Sequence, residues 1–317
     1  MRVVTLAGGV GGAKLAHGLQ LALAPGAQQV VVNTADDLEV HGLLVMPDHD
    51  TVLYTLAGLA DREQGWGLAG DTFAAAGMLE RYGAATWFRL GDGDLATHVL
   101  RSERLRAGAR LTEACRSLQA ALGVPGPILP MCDEPVRTRV LSDDGWLDFQ
   151  EYFVHRHQAP EVRELRFEGI AAARPTPEVA AAIGEAEAIV LAPSNPLVSL
   201  GPILAVPGLR GLLDDARARG VPVVAVSPII GGRALRGPAD RMLASLGHES
   251  SALGVARLYA GLLDAFVLDR ADAALGPPVE ALGMRALVTD TVMGDDADRA
   301  RLAREVIDLA GDPASRR

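Results

Sequence analysis

The stretch "LAGGVGGAKLAHGL", residues 6–19, follows a short apolar run and holds four glycines within five positions. A buried strand, a glycine loop and a helix start in this order can bring bare backbone N–H groups and the positive end of a helix dipole to one anion. Similar apolar runs end in polar or glycine-rich loops at "QVVVNTADD", "AIVLAPSNP" and "VPVVAVSPIIGG". Because parallel strands buried on both faces are continuously apolar, the pattern predicts an α/β fold, a Rossmann-like three-layer sandwich with a mostly parallel sheet.

The opening loop matches neither of two common phosphate loops. Lys14 lies between alanine and leucine, whereas the Walker A lysine lies between glycine and Ser or Thr, and Lys14 also replaces the third glycine of the dinucleotide fingerprint. Its charge, expected in the first helical turn, favours an anionic ligand because the helix dipole alone would prefer an acid there. A tight turn without a ligand is the alternative. The residues expected to bind phosphate are Gly9, Val10, Gly11, Gly12 and Lys14.

One segment departs from the α/β pattern. Residues 136–154, "VRTRVLSDDGWLDFQEYFV", alternate in polarity around an Asp-Asp-Gly turn, which predicts a β-hairpin. We expect residues 128–178 to form a smaller inserted subdomain. Residues 1–127 and 179–317 would then form the nucleotide-binding core.

Composition limits the class of partner. The 317 residues include 30 Lys and Arg against 40 Asp and Glu, a formal net charge of −10, which argues against nucleic acid or an anionic membrane as the main partner. The apolar run at the start is too short for a signal peptide or a membrane span. The two cysteines show no metal-binding spacing and fit a reducing compartment. We expect a cytoplasmic protein.

Acidic residues follow the second predicted strand. Asp36, Asp37, Asp48 and Asp50 fall within fifteen positions, and the carboxyl ends of parallel strands share one edge of a sheet. Carboxylates near a diphosphate need a divalent cation between them, and hard oxygen ligands suit Mg²⁺. Helix capping and turn formation are the alternatives for each single aspartate.

The segment 65–108 combines aromatic and charged residues near glycines. Two tryptophans in it suit a platform for a flat ring as well as they suit core packing, and Asp94 is expected to cap a helix that starts at Leu95. His98 and Arg101 then share one helix face, which is either functional or solvated. Its candidate ligand-binding residues are Trp66, Asp71, Arg89, Asp92 and His98.

The loops after the two later apolar runs carry polar groups that can bind a phosphate or a purine edge. These are Ser194, Asn195 and Ser227. Each loop alone is a weak signal. Together with the loops after the first two strands, they predict one cleft at the carboxyl edge of the sheet.

Nine blocks resemble the 2-phospho-L-lactate transferase family of coenzyme F-420 biosynthesis, in order from residue 1 to at least residue 260. They are "GGVGGAKL", "VNTADDLEVHG", "PDHDTVLYTLAG", "GWGLAGDTF", "LGDGDLATHVLRSERLRAG", "ILPMCDEPVRTRV", "FQEYFV", "APSNPLVSLGPIL" and "SPIIGGRALRGPA". The resemblance implies that a guanosine diphospho-ester, derived from GTP, donates a 2-phospholactyl or phosphoenolpyruvyl group to 7,8-didemethyl-8-hydroxy-5-deazariboflavin and releases GMP. It also implies a homodimer.

The same resemblance implies roles for single residues. Asp50 and Arg89 match positions that contact the deazaflavin acceptor, and Asp36 with Asp50 matches the Mg²⁺ region; either aspartate could also take the proton of the attacking hydroxyl. Gly9–Gly12 would face the diphosphate, and Ser194, Asn195 and Pro196 with the "SPIIGG" loop would bind the guanosine nucleotide. Some members carry "GGTGTPKL" in the opening loop. The "GGVGGA" form in this chain favours the enolpyruvyl donor.

Two other functions fit parts of the sequence. A nucleotide-sugar-binding regulatory protein of related fold would share the glycine loop but would not need Asp50, Arg89 or the "LGDGDLATH" block. A Rossmann oxidoreductase would place an acid after the second strand, as Asp36 or Asp37 does, but the missing third glycine opposes that function.

Overall fold

The computed structural model describes residues 1–312. Elements are numbered along the chain. The strands are β1 (Val3–Ala7), β2 (Gln28–Val32), β3 (Leu38–Val40), β4 (Leu43–Val45), β5 (Ile128–Pro130), β6 (Arg137–Ser142), β7 (Gly145–Asp148), β8 (Glu164–Glu168), β9 (Ala188–Leu191), β10 (Val223–Val226), β11 (Ile229–Ile230), β12 (Arg233–Ala234), β13 (Ala265–Asp269) and β14 (Arg285–Thr289).

The α-helices lie between these strands and after the last one. They are α1 (Gly9–Ala22), α2 (Pro47–Leu56), α3 (Ala74–Arg81), α4 (Asp92–Arg106), α5 (Leu111–Ala121), α6 (Pro177–Glu185), α7 (Leu200–Ala205), α8 (Leu209–Ala218), α9 (Ala239–Ser245), α10 (Ala252–Leu258), α11 (Gly276–Glu280) and α12 (Asp296–Gly311). A π-helix spans Glu151–His155 and a 3₁₀ helix spans Arg270–Leu275. None of the helices within residues 1–312 is long and apolar enough to span a bilayer.

The central sheet has seven strands in the order β14-β13-β10-β9-β1-β2-β5, and each neighbouring pair is parallel. Strand β1 has apolar side chains on both faces: Val3 packs with α1, α2 and α12, whereas Val4 packs on the opposite face with α6, α8 and α10. Burial on both faces explains why the core strands are continuously apolar. The predicted α/β sandwich is confirmed.

Helices α1 and α12 pack very closely on one face of the sheet. A Cβ added at Gly18 of α1 would overlap the backbone carbonyl of Arg299 in α12. Only glycine allows this approach of the two backbones. The first helix of the chain and the last one are therefore direct neighbours.

The predicted hairpin is present. Strands β6 and β7 pair antiparallel around Asp143 and Asp144, and β8 adds a third strand on the other side of β6. The expected start of the inserted subdomain at residue 128 is wrong, because the buried residues Ile128–Pro130 pair with β2 in the central sheet. The segment outside the core sheet begins after Pro130.

Candidate active site

The loops after β1 and β9 are joined at the carboxyl edge of the sheet. The backbone N–H of Gly8 donates to Ser194 Oγ at 3.0 Å, and Ser194 Oγ donates to the carbonyl of Gly8 at 2.8 Å. Both ends of this contact are buried. The two loops that were expected to share one cleft are thus held together by a single hydroxyl group.

The opening glycines allow close contacts around the start of α1. A Cβ at Gly8 would overlap Asp48 Oδ2, one at Gly11 would overlap the carbonyl of Pro193, and one at Gly12 would overlap Ser194 Oγ. Gly9 has φ +61°, in the left-handed region that favours glycine. At the first residue of α1, the backbone N–H of Gly9 donates to the Asp48 carboxylate. The N-cap residue Gly8 has no side chain that could occupy the N–H groups that follow. The helix start thus accepts one carboxylate already and suits a further anion.

Lys14 lies elsewhere than the sequence suggested. Because α1 begins at Gly9, Lys14 is in the second turn, so the expectation that its charge lies in the first turn is wrong. Its Nζ donates to the carbonyl of Met293 at 2.9 Å. Burial, followed by the nearby guanidinium groups of Arg299 and Arg236, lowers the pKa of Lys14.

Two buried carboxylates share one amide donor beside the glycine loop. Asn33 Nδ2 donates to Asp36 Oδ1 at 2.8 Å and to Asp48 Oδ2 at 3.0 Å. Burial raises the pKa of Asp48 to about 6, although the hydrogen bond from Asn33 opposes the shift. Burial and the charge of Asp48 raise the pKa of Asp36. Two adjacent buried carboxylates with few cations around them are a suitable oxygen donor set for Mg²⁺.

Asp50 is held by other partners. Arg101 Nη1 donates to Asp50 Oδ2 at 3.0 Å, and Arg101 Nη2 forms a second contact with Oδ1. His49 Nδ1 lies 3.3 Å from Asp50 Oδ1, and His98 Nδ1 lies 3.6 Å from Oδ2. Burial alone would raise the pKa of Asp50, but Arg101 and the histidines hold it well below its usual range. The two acids expected to share Mg²⁺, Asp36 and Asp50, thus belong to different hydrogen-bonded groups.

Asp50, Asp94 and His98 form a possible cation site of their own. One ligand atom of each lies within 4.8 Å of the others. Tyr54 donates to Asp94 Oδ1 at 2.6 Å, and Arg101 already neutralises Asp50. A metal ion there would have to displace a buried guanidinium, so Asp36 and Asp48 are the better metal candidates.

Two aspartates of the 65–108 segment cap each other's helices. Asp71 accepts hydrogen bonds from the N–H groups at the start of α4, at 2.7 and 3.0 Å, and Asp92 accepts from Thr72 Oγ1 and from the N–H groups at the start of α3. The expectation that Asp94 caps a helix starting at Leu95 is wrong, because α4 starts at Asp92 and Asp71 caps it. The polar atoms of Asp71 and Asp92 are occupied by the protein, and their contact with an acceptor stays a prediction.

The aromatic residues of this segment remain accessible. Trp66 is 47% exposed, and Trp87 stacks on His155 with ring centroids 5.1 Å apart and planes 14° apart. The Arg89 guanidinium lies over the Phe73 ring at 4.3 Å. His98, in contrast, is 1% exposed and its Nε2 lies 3.3 Å from Asp94, so it supports the buried acid group around Asp50.

The polar residues after β9 and β10 shape their own loops. Asn195 Oδ1 accepts from the N–H groups of Leu197 and Val198, Pro196 is buried, and Ser227 Oγ accepts from and donates to the backbone of Ile229. Among these, Ser194 makes the contact that links two loops of the cleft.

The sequence analysis grouped Asp48 with the other acids but did not predict its pairing with Asp36. It also missed the role of Asn33. The only sequence signal for Asn33 was its position directly after β2.

A family model described as 2-phospho-L-lactate transferase CofD matches residues 3–300. The chain belongs to the CofD family of transferases. Members of this family act on small-molecule substrates, and the glycine loop, Asn33 and the buried acids lie at the edge of the sheet where α/β proteins bind such ligands.

Curated CofD-family relatives match over nearly the whole chain. A phosphoenolpyruvate transferase from Streptomyces griseus subsp. griseus is 44% identical over 316 residues, 98% of each chain. A 2-phospho-L-lactate transferase from Methanosarcina barkeri is 39% identical over 307 residues, 97% of this chain and 98% of the relative. A crystal structure of a UPF0052-family protein from Bacillus halodurans shares the fold, with a TM-score of 0.65 at 14% identity, over 96% of this chain and 98% of the other.

Proposed function

We propose that this transferase moves a phosphoenolpyruvyl group from a guanosine diphospho-ester to 7,8-didemethyl-8-hydroxy-5-deazariboflavin, giving dehydro coenzyme F-420-0 and GMP. The observation that carries the proposal is the pair Asp36 and Asp48 beside the glycine-rich start of α1, in a chain whose relatives are transferases of this type. The 44% identity to a phosphoenolpyruvate transferase, against 39% to a phospholactate transferase, supports the enolpyruvyl donor.

In this mechanism the glycine loop binds the diphosphate and the acids hold a cation. Backbone N–H groups at Gly9 to Gly12 face the phosphate oxygens, and Asp36 with Asp48 would hold Mg²⁺. Bound Mg²⁺ would neutralise charge on the transferring phosphoryl group. Asn33 fixes both carboxylates in place. The terminal ribityl oxygen then bonds to the outer phosphorus while the phosphorus–oxygen bond to GMP breaks.

The proton of the attacking ribityl hydroxyl needs an acceptor, and neither Asp36 nor Asp50 is a strong base for it. Asp50 is a poor proton acceptor because its ion pair with Arg101 holds its pKa low. Asp36 is no better, because a carboxylate that holds Mg²⁺ is a weak base. The hydroxyl proton would therefore leave to solvent water as the new phosphorus–oxygen bond forms. Positioning and charge neutralisation provide most of the catalysis in such a transfer.

The acceptor would bind on the exposed aromatic side of the cleft. Trp66 and the stacked pair Trp87 and His155 offer flat surfaces, and Arg89 offers a cation. We also propose a cytoplasmic homodimer, as closed two-fold assemblies are the commonest oligomers. Light scattering on the purified protein tests the dimer.

The test of function is product formation. The protein is incubated with the deazaflavin, Mg²⁺ and either the enolpyruvyl or the lactyl diphospho-guanosine, and products are read by mass spectrometry. A deazaflavin phosphodiester is expected, and its mass identifies the donor because the two products differ by two hydrogens. The matched variant is Asp48→Asn, which keeps the side-chain size but removes the charge, and it is expected to form far less product than the wild type. Nucleotide binding without any product from either donor would favour a regulatory binding protein instead.

A further inference from the structure

A pocket lined by cationic side chains opens beside the glycine loop. It lies between the first two turns of α1, the loop after α2 and the start of α12, and its lining includes Val10, Lys14, Arg62, Gly65 and Arg299. We call this group the basic pocket. Arg236, from the loop after β12, reaches its rim and donates to the carbonyls of Gln64 and Glu63.

The cations of the basic pocket exceed the carboxylates that could neutralise them. Arg62 Nη2 and Arg299 Nη1 share Asp296, at 3.0 and 3.5 Å, and His17 lies 3.6 Å from the same carboxylate. Within residues 1–312, the hydrogen bonds of Lys14 and Arg236 go to backbone carbonyls and neither forms a salt bridge.

A second acid, Asp61, also lines the pocket. Its carboxylate accepts hydrogen bonds from the backbone of Glu63 and from Gln64. The charge of Asp295 also acts on Arg299. Four basic side chains thus face three carboxylates; the basic ones are Lys14, Arg62, Arg236 and Arg299. In a chain with a net charge of −10, a local positive excess indicates an anion site.

The most buried of these cations is incompletely paired. Arg299 is 5% exposed, and its Nε is buried with no hydrogen-bond partner among the described residues. Its Nη1 lies 3.2 Å from His17 Nδ1, which is neutral when it accepts that hydrogen bond. Burying a cation next to other cations is costly unless an anion is added. A bound anion would supply the missing charge.

The acid pair and the basic pocket lie next to consecutive residues of α1. A Cβ at Gly9 would lie 3.5 Å from Asp48 Oδ1, whereas Val10, the next residue, lines the pocket and lies near Gly65. A ligand whose diphosphate binds at Gly9 to Gly12 can therefore extend past Val10 towards Lys14 and Arg62. The proposed donor carries a carboxylate at that end.

We propose that the basic pocket binds the carboxylate end of the donor, with Arg62 and Arg299 as the residues that contact this carboxylate. This rests on the proposed function. Arginine suits this task because its planar donor pairs match a carboxylate or a phosphate. The nucleotide end would bind at the loops after β9 and β10.

The test measures binding of free phosphoenolpyruvate, inorganic phosphate and GMP by calorimetry. We compare the wild type with Arg62→Gln, which alters an exposed side chain, and with Arg299→Gln, which alters a buried one. The matched control is Arg304→Gln, on the exposed side of α12. Loss of a charged hydrogen bond predicts roughly 10- to 100-fold weaker phosphoenolpyruvate binding in both pocket variants, with GMP binding and the control unchanged.

Three results would overturn the inference. They are wild-type protein that does not bind phosphoenolpyruvate, pocket variants that bind it as tightly as the wild type, and inorganic phosphate that binds as tightly as phosphoenolpyruvate. If Arg299→Gln does not fold, the binding of phosphoenolpyruvate by Arg62→Gln decides whether the inference stands. A turnover assay separates the proposed reaction from the proposed role of the basic pocket. If the wild type forms product and Arg62→Gln has an unchanged KM for the donor, the role of the pocket is rejected and the reaction stands. No product, with phosphoenolpyruvate binding that still depends on Arg62, rejects the proposed reaction alone.

Discussion

The carboxylates of Asp36 and Asp48 are bridged by one side-chain amide, that of Asn33, at 2.8 and 3.0 Å. Both acids are buried. Burial raises the pKa of each carboxyl, and the charge of Asp48 raises the pKa of Asp36 further. The pair is therefore under electrostatic strain when both are charged, and a divalent cation or a proton relieves it.

A Mg²⁺ dependence follows from this pair. We expect Asp48→Asn to reduce turnover by at least about 100-fold if Asp48 holds Mg²⁺ as proposed, because losing that ligand would remove several kcal/mol of charge stabilisation. Mg²⁺ should raise the melting temperature of the wild type and should not raise that of Asp48→Asn. Differential scanning fluorimetry at several Mg²⁺ concentrations measures this. An equal shift in both proteins would place the cation elsewhere.

The stability of the metal-free protein should fall as pH rises. The folded-state pKa of Asp48 is about 6 against an ordinary value of 3.8, so the folded state binds the proton more tightly than the unfolded chain. The stabilisation is complete below about pH 4 and is lost as pH rises through about 6, and it amounts to about 3 kcal/mol at most. Urea unfolding in EDTA between pH 4.5 and 7.5, with Asp48→Asn as control, isolates this contribution. A wild-type profile identical to that of the variant contradicts it.

The ion pair between Asp50 and Arg101 should matter more to stability than to chemistry. Removing one partner leaves the other as an unpaired buried charge, so Arg101→Met is expected to cost about 3–5 kcal/mol. Asp50→Asn should also destabilise, and the double variant should cost less than the sum of the two. A double-mutant cycle by urea unfolding measures the coupling. Full stability in Asp50→Asn together with lost turnover would instead indicate a direct catalytic role for Asp50.

The reciprocal caps offer a test of the predicted acceptor contacts. Asp92→Ala removes the cap of α3 and should lower the free energy of unfolding, while the acceptor KM stays nearly constant if capping is its role. Arg89→Gln should do the reverse and raise the acceptor KM at nearly constant stability. Steady-state kinetics and unfolding on both variants distinguish the two roles. A raised KM in Asp92→Ala at unchanged stability would support the acceptor contact.

Gly11, near the start of α1, and Gly77, in α3, form a matched pair of positions for testing how tightly the glycine loop is packed. Gly11→Ala would place a Cβ against the carbonyl of Pro193, in a backbone region that cannot move easily, so we expect a loss of about 2 kcal/mol or more. Gly77, in α3, has free space around its Cα, and Gly77→Ala should stabilise by about 0.4–1 kcal/mol. Thermal unfolding of both variants compares them. A tolerated Gly11→Ala would argue against the close packing at the start of α1.

The parallel sheet and the meeting of the loops at one edge were predictable because buried parallel strands leave a strong local signal. Apolar runs such as Val30–Val32 and Ile189–Leu191 predicted buried strands, and topology then placed their loops at one edge. Strand β5 was assigned to the insertion because three residues carry too little signal to reveal a partner in the central sheet.

Side-chain partners were harder to predict from sequence. Asp48 and Asp50 are two residues apart on α2, yet one faces Asn33 and the other faces Arg101. Which acid faces the cleft depends on how α2 is rotated by its packing, and spacing alone does not fix that rotation. The cations of the basic pocket come from segments more than 200 residues apart, so no local pattern could group them.

The contact between α1 and α12 sets an order of events during synthesis. The glycine loop and Lys14 leave the ribosome first, but Arg299 follows almost 300 residues later, and Gly18 cannot meet its partner backbone before then. Because domains fold as units while the chain emerges, the side of the basic pocket that Arg299 lines can form only once α12 docks on α1.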